Sequence, residues 1–273
     1  MMKIGIFYCS GTGCTAYTAE QFSEEFRKLG HTVHCERFER RNPQEPAGYD
    51  MLGFGAPCYA FYPPKHFQRF LRSLPRGNTP FFLFASSHGI SGNTLWSMYR
   101  ILSRRGYHYL GSPFEVFGVL NIRAWRRKKN SPAIQEKLNG LEKLPGCVQG
   151  LIDCYQDVAS GRKVFQEKGT ILWILFASWC TYPWLMAWVE GFFKRVDYSK
   201  CTKCGLCAEV ICPSGAITLD QDRKPVIKNR LCEGCSGCVN LCPEGAVSTL
   251  LNRNRQACTV YGKSIINRGR KSG

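Results

Sequence analysis

Eight cysteines in the C-terminal part of the chain stand in two copies of one pattern. Cys201, Cys204, Cys207 and Cys212 form the first; Cys232, Cys235, Cys238 and Cys242 form the second, and each copy closes on a Cys-Pro pair (Pro213, Pro243). The second copy is C-x2-C-x2-C-x3-C-P, the spacing that wraps a cubane iron–sulfur cluster. Three thiolates on one short loop reach three corners of a cluster, and the fourth lies beyond a turn. Zinc is the competing reading of paired C-x2-C units. Zinc knuckles bring two cysteines each, however, not three in a row followed by Cys-Pro. A chain with this pattern must wind around an object. Gly205, Gly215, Gly234, Gly237 and Gly245 allow its backbone N–H groups to turn toward the sulfurs. The matching tails Ala216-Ile217 and Ala246-Val247 mark an internal repeat and predict pseudo-twofold symmetry. One departure stands out: Ala208, Glu209, Val210 and Ile211 put four residues, not three, between Cys207 and Cys212. The extra residue can bulge out, and Cys212 is the ligand whose placement the spacing leaves open.

Sixteen cysteines in a short secreted chain would suggest disulfides. Here Met1-Met2-Lys3 runs directly into the strand pattern Ile4-Gly5-Ile6-Phe7-Tyr8 without a small-residue cleavage site, and half the cysteines need reduced thiolates. A cytoplasmic, reducing setting is expected. The formal charge of +17 lies outside the cysteine region, because residues 201–250 carry five acids and five bases. Such a field favours acidic protein partners or anionic surfaces. No motif supports nucleic acid.

The N-terminal part alternates strand and helix. Strands are expected near 3–9, 31–38, 51–55, 81–85 and 114–119, with helices near 15–29, 65–73 and 94–105 and a further one opened by Ser131-Pro132, broken near Leu144-Pro145-Gly146 and resumed to about Ala159. Phe81-Phe82-Leu83-Phe84-Ala85 is a continuous apolar run, as in a strand covered on both faces. Five alternations imply a parallel, doubly wound sheet, whose ligands bind at the carboxyl ends of the strands. Three loops converge there. Ser10-Gly11-Thr12-Gly13-Cys14-Thr15 suits a phosphate: glycines allow close approach, hydroxyls donate, and the following helix N-terminus is partly positive. Taken alone, the same loop also reads as an ordinary turn. The second loop, 56–62, carries Tyr59, Phe61 and Tyr62, which suit stacking on a planar ring; the third spans 86–93.

On these residues, from Ile6 to Ala19, the chain resembles flavodoxin, and with the cysteine motifs it is similar to flavodoxin–ferredoxin fusion proteins of anaerobic prokaryotes. The resemblance implies an α/β fold with a flavodoxin-like doubly wound parallel five-stranded sheet, plus a small α+β two-cluster ferredoxin domain. It implies that Ser10, Thr12, Gly13, Cys14 and Thr15 hold FMN phosphate. Pro57, Cys58, Tyr59, Ala60 and Phe61, with Ser86, Ser87, His88 and Gly89, would flank the isoalloxazine. His88 departs from the small residues usual in that loop; hydrogen bonding to flavin and simple solvation both remain open. Cys14 and Cys58 read either as redox thiols or as packing residues. The family pattern also implies crossed ligation of two [4Fe-4S] clusters. Cys201, Cys204, Cys207 and Cys242 would hold one, and Cys232, Cys235, Cys238 and Cys212 the other.

Expected boundaries are 1–160 for the flavodoxin-like domain, 161–196 for an apolar connecting helical segment, 197–250 for the ferredoxin domain and 251–273 for a basic tail. The segment 121–129 carries Arg123, Arg126, Arg127, Lys128 and Lys129, and reads as a docking patch for an acidic redox partner or as a solvated loop. From 169 to 189 no residue is charged, and Trp173, Trp179, Trp184 and Trp188 punctuate the stretch. Interdomain packing, peripheral membrane contact through 170–189 and a true span are its three readings; Pro183 opposes the last. These features predict an electron-transfer protein coupling FMN to two clusters. An FMN-dependent reductase with a built-in ferredoxin and a membrane-associated redox subunit are the alternatives. No G-x-G-x-x-G fingerprint points to direct use of nicotinamide.

Overall fold

The structure is a computed structural model that describes residues 1–38, 46–59, 61–87, 91–111, 113–117, 140–160 and 193–249. The segments 121–129, 170–189 and 251–273, and the helix expected from Ser131-Pro132, lie outside the described residues.

Apolar runs become the interior strands β1 (Lys3–Tyr8), β3 (Met51–Pro57) and β4 (Pro80–Ser87), nearly every residue of which is buried. β2 (Thr32–Arg37) alternates polar and apolar residues, is half-buried, and takes the edge. The sheet runs β2-β1-β3-β4, all parallel. Two short strands share the fifth position: β5 (His108–Tyr109) lies beside Pro80 and Phe81, and β6 (Phe114–Phe117) beside 84–87. The single strand expected near 114–119 therefore has an earlier partner. The interruption falls where Gly111 adopts φ 78° and Pro113 has no N–H to offer β4. This strand order is the doubly wound one, and its reversal between β1 and β3 opens a crevice at their carboxyl ends.

Among the described residues four helices cover the sheet. On one face α1 (Cys14–Lys28) and α4 (Leu144–Ala159) contribute Phe22, Phe26, Val148 and Leu151 to a layer with Phe82 and Phe84. On the other, α2 (Lys65–Ser73) and α3 (Thr94–Ser103) set Phe67, Phe70, Leu71, Leu95 and Met98 against Phe54 and Phe81. Gly53 and Gly55 make the first layer possible, because a Cβ at either would fall inside the ring of Phe82 or Phe84. Burying one such ring contributes about 1.5–3 kcal/mol. Pro145 sits in the first turn of α4, so the break expected at Leu144-Pro145-Gly146 is the start of this helix.

The cysteine region is built from short pieces. β7 (Arg195–Val196) pairs antiparallel with β10 (Val247–Ser248), and β8 (Ile217–Leu219) with β9 (Pro225–Ile227). Between them lie a π-turn at Cys207–Ile211 and the one-turn α5 (Gly237–Asn240). Ala208, Ile217, Val239, Ala246 and Val247 form its core, but Ile211 and Leu241 leave it and join the sheet's α1/α4 layer. The two regions thus share hydrophobic packing. Among the described residues no helix is long and apolar enough to cross a membrane.

Candidate functional site

Cys201, Cys204, Cys207 and Cys242 line one cavity together with Gly205, Pro225 and Val247. Burial pushes the Cys207 thiol up to about 12, and the nearby Cys204, Cys242 and Cys201 add to the rise. The second group gathers around Cys235. Burial pushes its thiol up to about 12, Cys212 and Cys232 add to this, and Lys194 opposes it. Cys238 is raised by burial too, with Cys235, Cys232 and Cys212 as contributing neighbours. Three thiols of one motif therefore gather with the last thiol of the other. Held as thiolates, these sulfurs would need a strongly bound cation in their midst. Among the described residues no three His, Cys, Asp or Glu side chains close on a point as a single metal ion requires. An all-cysteine donor set of this kind fits a cluster of sulfur-philic irons.

The extra residue before Cys212 is absorbed by the π-turn. The Cys212 N–H donates to the Cys207 carbonyl at 3.2 Å, five residues back, which takes in one residue more than an α-turn would. Beyond it the two motifs coincide. Ala216 N–H donates to Cys212 Sγ at 3.2 Å, and Ala246 N–H to Cys242 Sγ at 3.4 Å. Gly215 (φ 67°) and Gly245 (φ 59°) turn the backbone for these bonds from the left-handed region that glycine tolerates. Cys212 is placed as Cys242 is.

Sequence reasoning missed the second quartet's surroundings. Lys194 is 7% exposed and donates from Nζ to Cys232 Sγ at 3.4 Å. Arg37, at the end of β2, donates to the carbonyls of Val210 (2.7 Å) and Ile211 (2.9 Å) on the π-turn. Glu233, between two ligand cysteines, accepts from the His66 backbone N–H at 2.8 Å, and its other oxygen lies 2.8 Å from His66 Nδ1. Phe38 stacks on that imidazole. The one readable signal was charge: Lys194 and Glu233 flank or punctuate the cysteine run.

Residues 10–13 form the β1–α1 loop, Cys14 and Thr15 open α1, and all six are buried. Gly13 takes φ 110° at the head of α1, and its N–H donates to Ser10 Oγ at 3.2 Å. Thr15 Oγ1 meets Ser86 Oγ at 2.7 Å and ties the first loop to the third. Pro57 pairs with Ser86 across β3 and β4, and Cys58 N–H donates to the Ser86 carbonyl at 2.9 Å. The Cys58 thiol, pushed up chiefly by burial, donates to the Ser91 carbonyl at 3.3 Å, the behaviour of a packing thiol. Tyr59 and Tyr62 exchange backbone hydrogen bonds, and Phe61, between them, holds φ 69°. Ser87 Oγ is buried without a partner among the described residues. Ala60, His88 and Gly89 lie outside the described residues.

The donors of this loop suit a phosphate, but its outer face is already covered. A Cβ added to Gly11 would stand 2.6 Å from the Tyr59 hydroxyl and 2.9 Å from Cys235 Cβ. A Cβ added to Gly237 would stand 2.6 Å from the Gly11 carbonyl oxygen. The second cysteine motif is thus in van der Waals contact with the loop. The loop's donors fit a phosphate, and the second cysteine motif packs beside them at Gly11.

Residues 200–246 match the 4Fe-4S dicluster domain family. A 57-residue stretch is 40% identical to pyruvate synthase subunit PorD of Methanocaldococcus jannaschii, covering 21% of this chain and 65% of that protein. The chain thus spans just under two thirds of this curated relative's length. In structure, the chain is similar to flavodoxin 2 of Bacillus cereus (TM-score 0.44, 16% identity, 55% of this chain and 98% of that one). It is also similar to the flavodoxin of Streptococcus pneumoniae TIGR4 (TM-score 0.43, 14% identity, 55% and 98%). The strand order and the cysteine motifs together describe a flavodoxin-like sheet joined to a ferredoxin-type dicluster domain.

Proposed function

We propose that this chain, a flavodoxin-like sheet joined to a dicluster ferredoxin-type domain, is an electron-transfer protein that passes low-potential electrons between redox partners. The observation that carries the reading is the pair of thiol quartets, one of which lines a single cavity. Cys201, Cys204, Cys207 and Cys242 would hold one [4Fe-4S] cluster, and Cys232, Cys235, Cys238 and Cys212 the other. Such clusters, when bound, supply one-electron chemistry at potentials set by charge, hydrogen bonds to sulfur and exposure. The chain's own contribution is to tune them. Ala216 and Ala246 N–H groups stabilise negative charge on the Cys-Pro thiolates. Lys194 offsets charge on the second quartet, while Ile211 and Leu241 exclude water behind both.

FMN is the second reading, favoured by the donors of Ser10, Thr12, Gly13, Cys14 and Thr15 and by the unpartnered Ser87 hydroxyl. The second cysteine motif packs against this loop at Gly11. An acidic redox protein as partner suits the chain's positive charge, and the reduced thiols suit a cytoplasmic setting. Peripheral membrane contact through 170–189 belongs to the alternative of a membrane-associated subunit. Anaerobic purification with metal, sulfide and flavin analysis tests the reading. About eight irons and eight sulfides per chain are expected for two cubanes, and zinc at the same positions would sink it.

A further inference from the structure

We infer that the loop of residues 10–15 has two alternative occupants: the docked cysteine module and a flavin phosphate exclude one another there. The inference rests on the flavin reading for its second occupant only; the first is in view. Gly11 meets Cys235 and Gly237 at a closeness that only glycine allows on either side, and the Tyr59 hydroxyl stands against Gly11 as well. All six residues 10–15 are buried, whereas a phosphate must enter directly over the loop's N–H groups.

The module is also anchored around the loop from three strands or helices of the sheet domain. Arg37 at the end of β2 grips the π-turn, His66 in the first turn of α2 grips Glu233, and Gly11 follows β1. Ile211 and Leu241 complete the seat from inside the α1/α4 layer. These are the carboxyl ends where a doubly wound sheet binds its ligand. The chemistry of the exchange is coherent. The loop and the N-terminus of α1 favour an anion, and the ligand loop at Cys235 is the edge of an anionic cluster. One anion-bearing loop stands where another anion would bind.

Exclusion makes a reciprocal prediction: docking weakens flavin by some factor, and flavin weakens docking by the same factor. The test uses the full chain with both clusters loaded, under anaerobic conditions. FMN binding is followed by equilibrium dialysis, and amide hydrogen exchange is followed at residues 10–15 and 233–238. In the unmodified chain, FMN should bind weakly, and excess FMN should speed exchange at 233–238. The double variant Arg37→Met/His66→Ala should exchange at least about tenfold faster at 10–15 and bind FMN more tightly by a similar factor. Gly237→Ala should do the same from the module's side and leaves Arg37 and His66 in place, which guards against a misfolded double variant. Stoichiometric FMN with protection retained in both segments would overturn the inference. So would variants that open the loop without any gain in FMN binding, or variants in which exchange at 10–15 does not change. Iron content, measured in parallel, reports separately on the cluster reading.

Discussion

The two cysteine quartets share a local sequence and differ in what surrounds them. Cys204 of the first is exposed, and its cavity is lined almost wholly by the module's own loops. The second is pressed against the sheet domain, with Lys194 at Cys232, Gly11 at Cys235 and Glu233 held by His66. An electron leaving a cluster needs a short path to a partner, and the first quartet offers one at the surface. The second lies against the sheet domain, with Cys238 buried and Cys212, Cys232 and Cys235 half-buried. Repetition of a motif therefore sets the ligands of a redox centre, while position in the fold sets its accessibility and charge environment.

Three experiments test that contrast. The largest effect is expected from Cys212→Ser. If the π-turn delivers Cys212 as a full ligand, roughly half the iron should be lost and one electron paramagnetic resonance signal should disappear. Full iron content in this variant would show that the extra residue takes Cys212 out of the site. Next is Ile211→Ala, which empties a fully buried position shared by the module and the sheet. A loss of about 2–5 kcal/mol in denaturant unfolding is expected, with disturbance of the second cluster ahead of the first. Equal disturbance of both would mean that the second site has no special dependence on docking. The smallest effect belongs to Lys194→Met. Removing a cation that donates to sulfur disfavours the reduced, more negative state. The second cluster's potential should fall by about 60 mV, the one-electron equivalent of a tenfold change, and the first should stay put. A uniform shift of both would reassign Lys194 to a general field.

Much of the sheet was legible because its strands are long apolar runs and its helices carry 3.6-residue periodicity; α2 occupies Lys65–Ser73 as the pattern implies. The broken fifth strand was not, since pairing of His108–Tyr109 with β4 depends on a two-residue contact with no pattern of its own. At the cysteines, counting exposed the extra residue before Cys212. Counting could not say that a π-turn would absorb it, because that turn is fixed by Ile211 entering another region's core. The Arg37 and Glu233 contacts span sequence separations of 173 and 167 residues. Such pairs leave no local trace. The loop at 10–15 shows the same limit: its donors are visible in the sequence, and its cover is not.

β7 and β10 carry a last consequence. Val196 faces Val247 and Arg195 faces Ser248 in one antiparallel pair, so the chain enters and leaves the cysteine region side by side. A segment with adjoining ends can be cut out, or spliced into a surface turn of another protein, without stretching its host. The contacts that fit it to this host come from Arg37 and His66 of the sheet domain and from the turn that holds the extra residue before Cys212, and these are the positions at which a transplanted copy would have to be tailored.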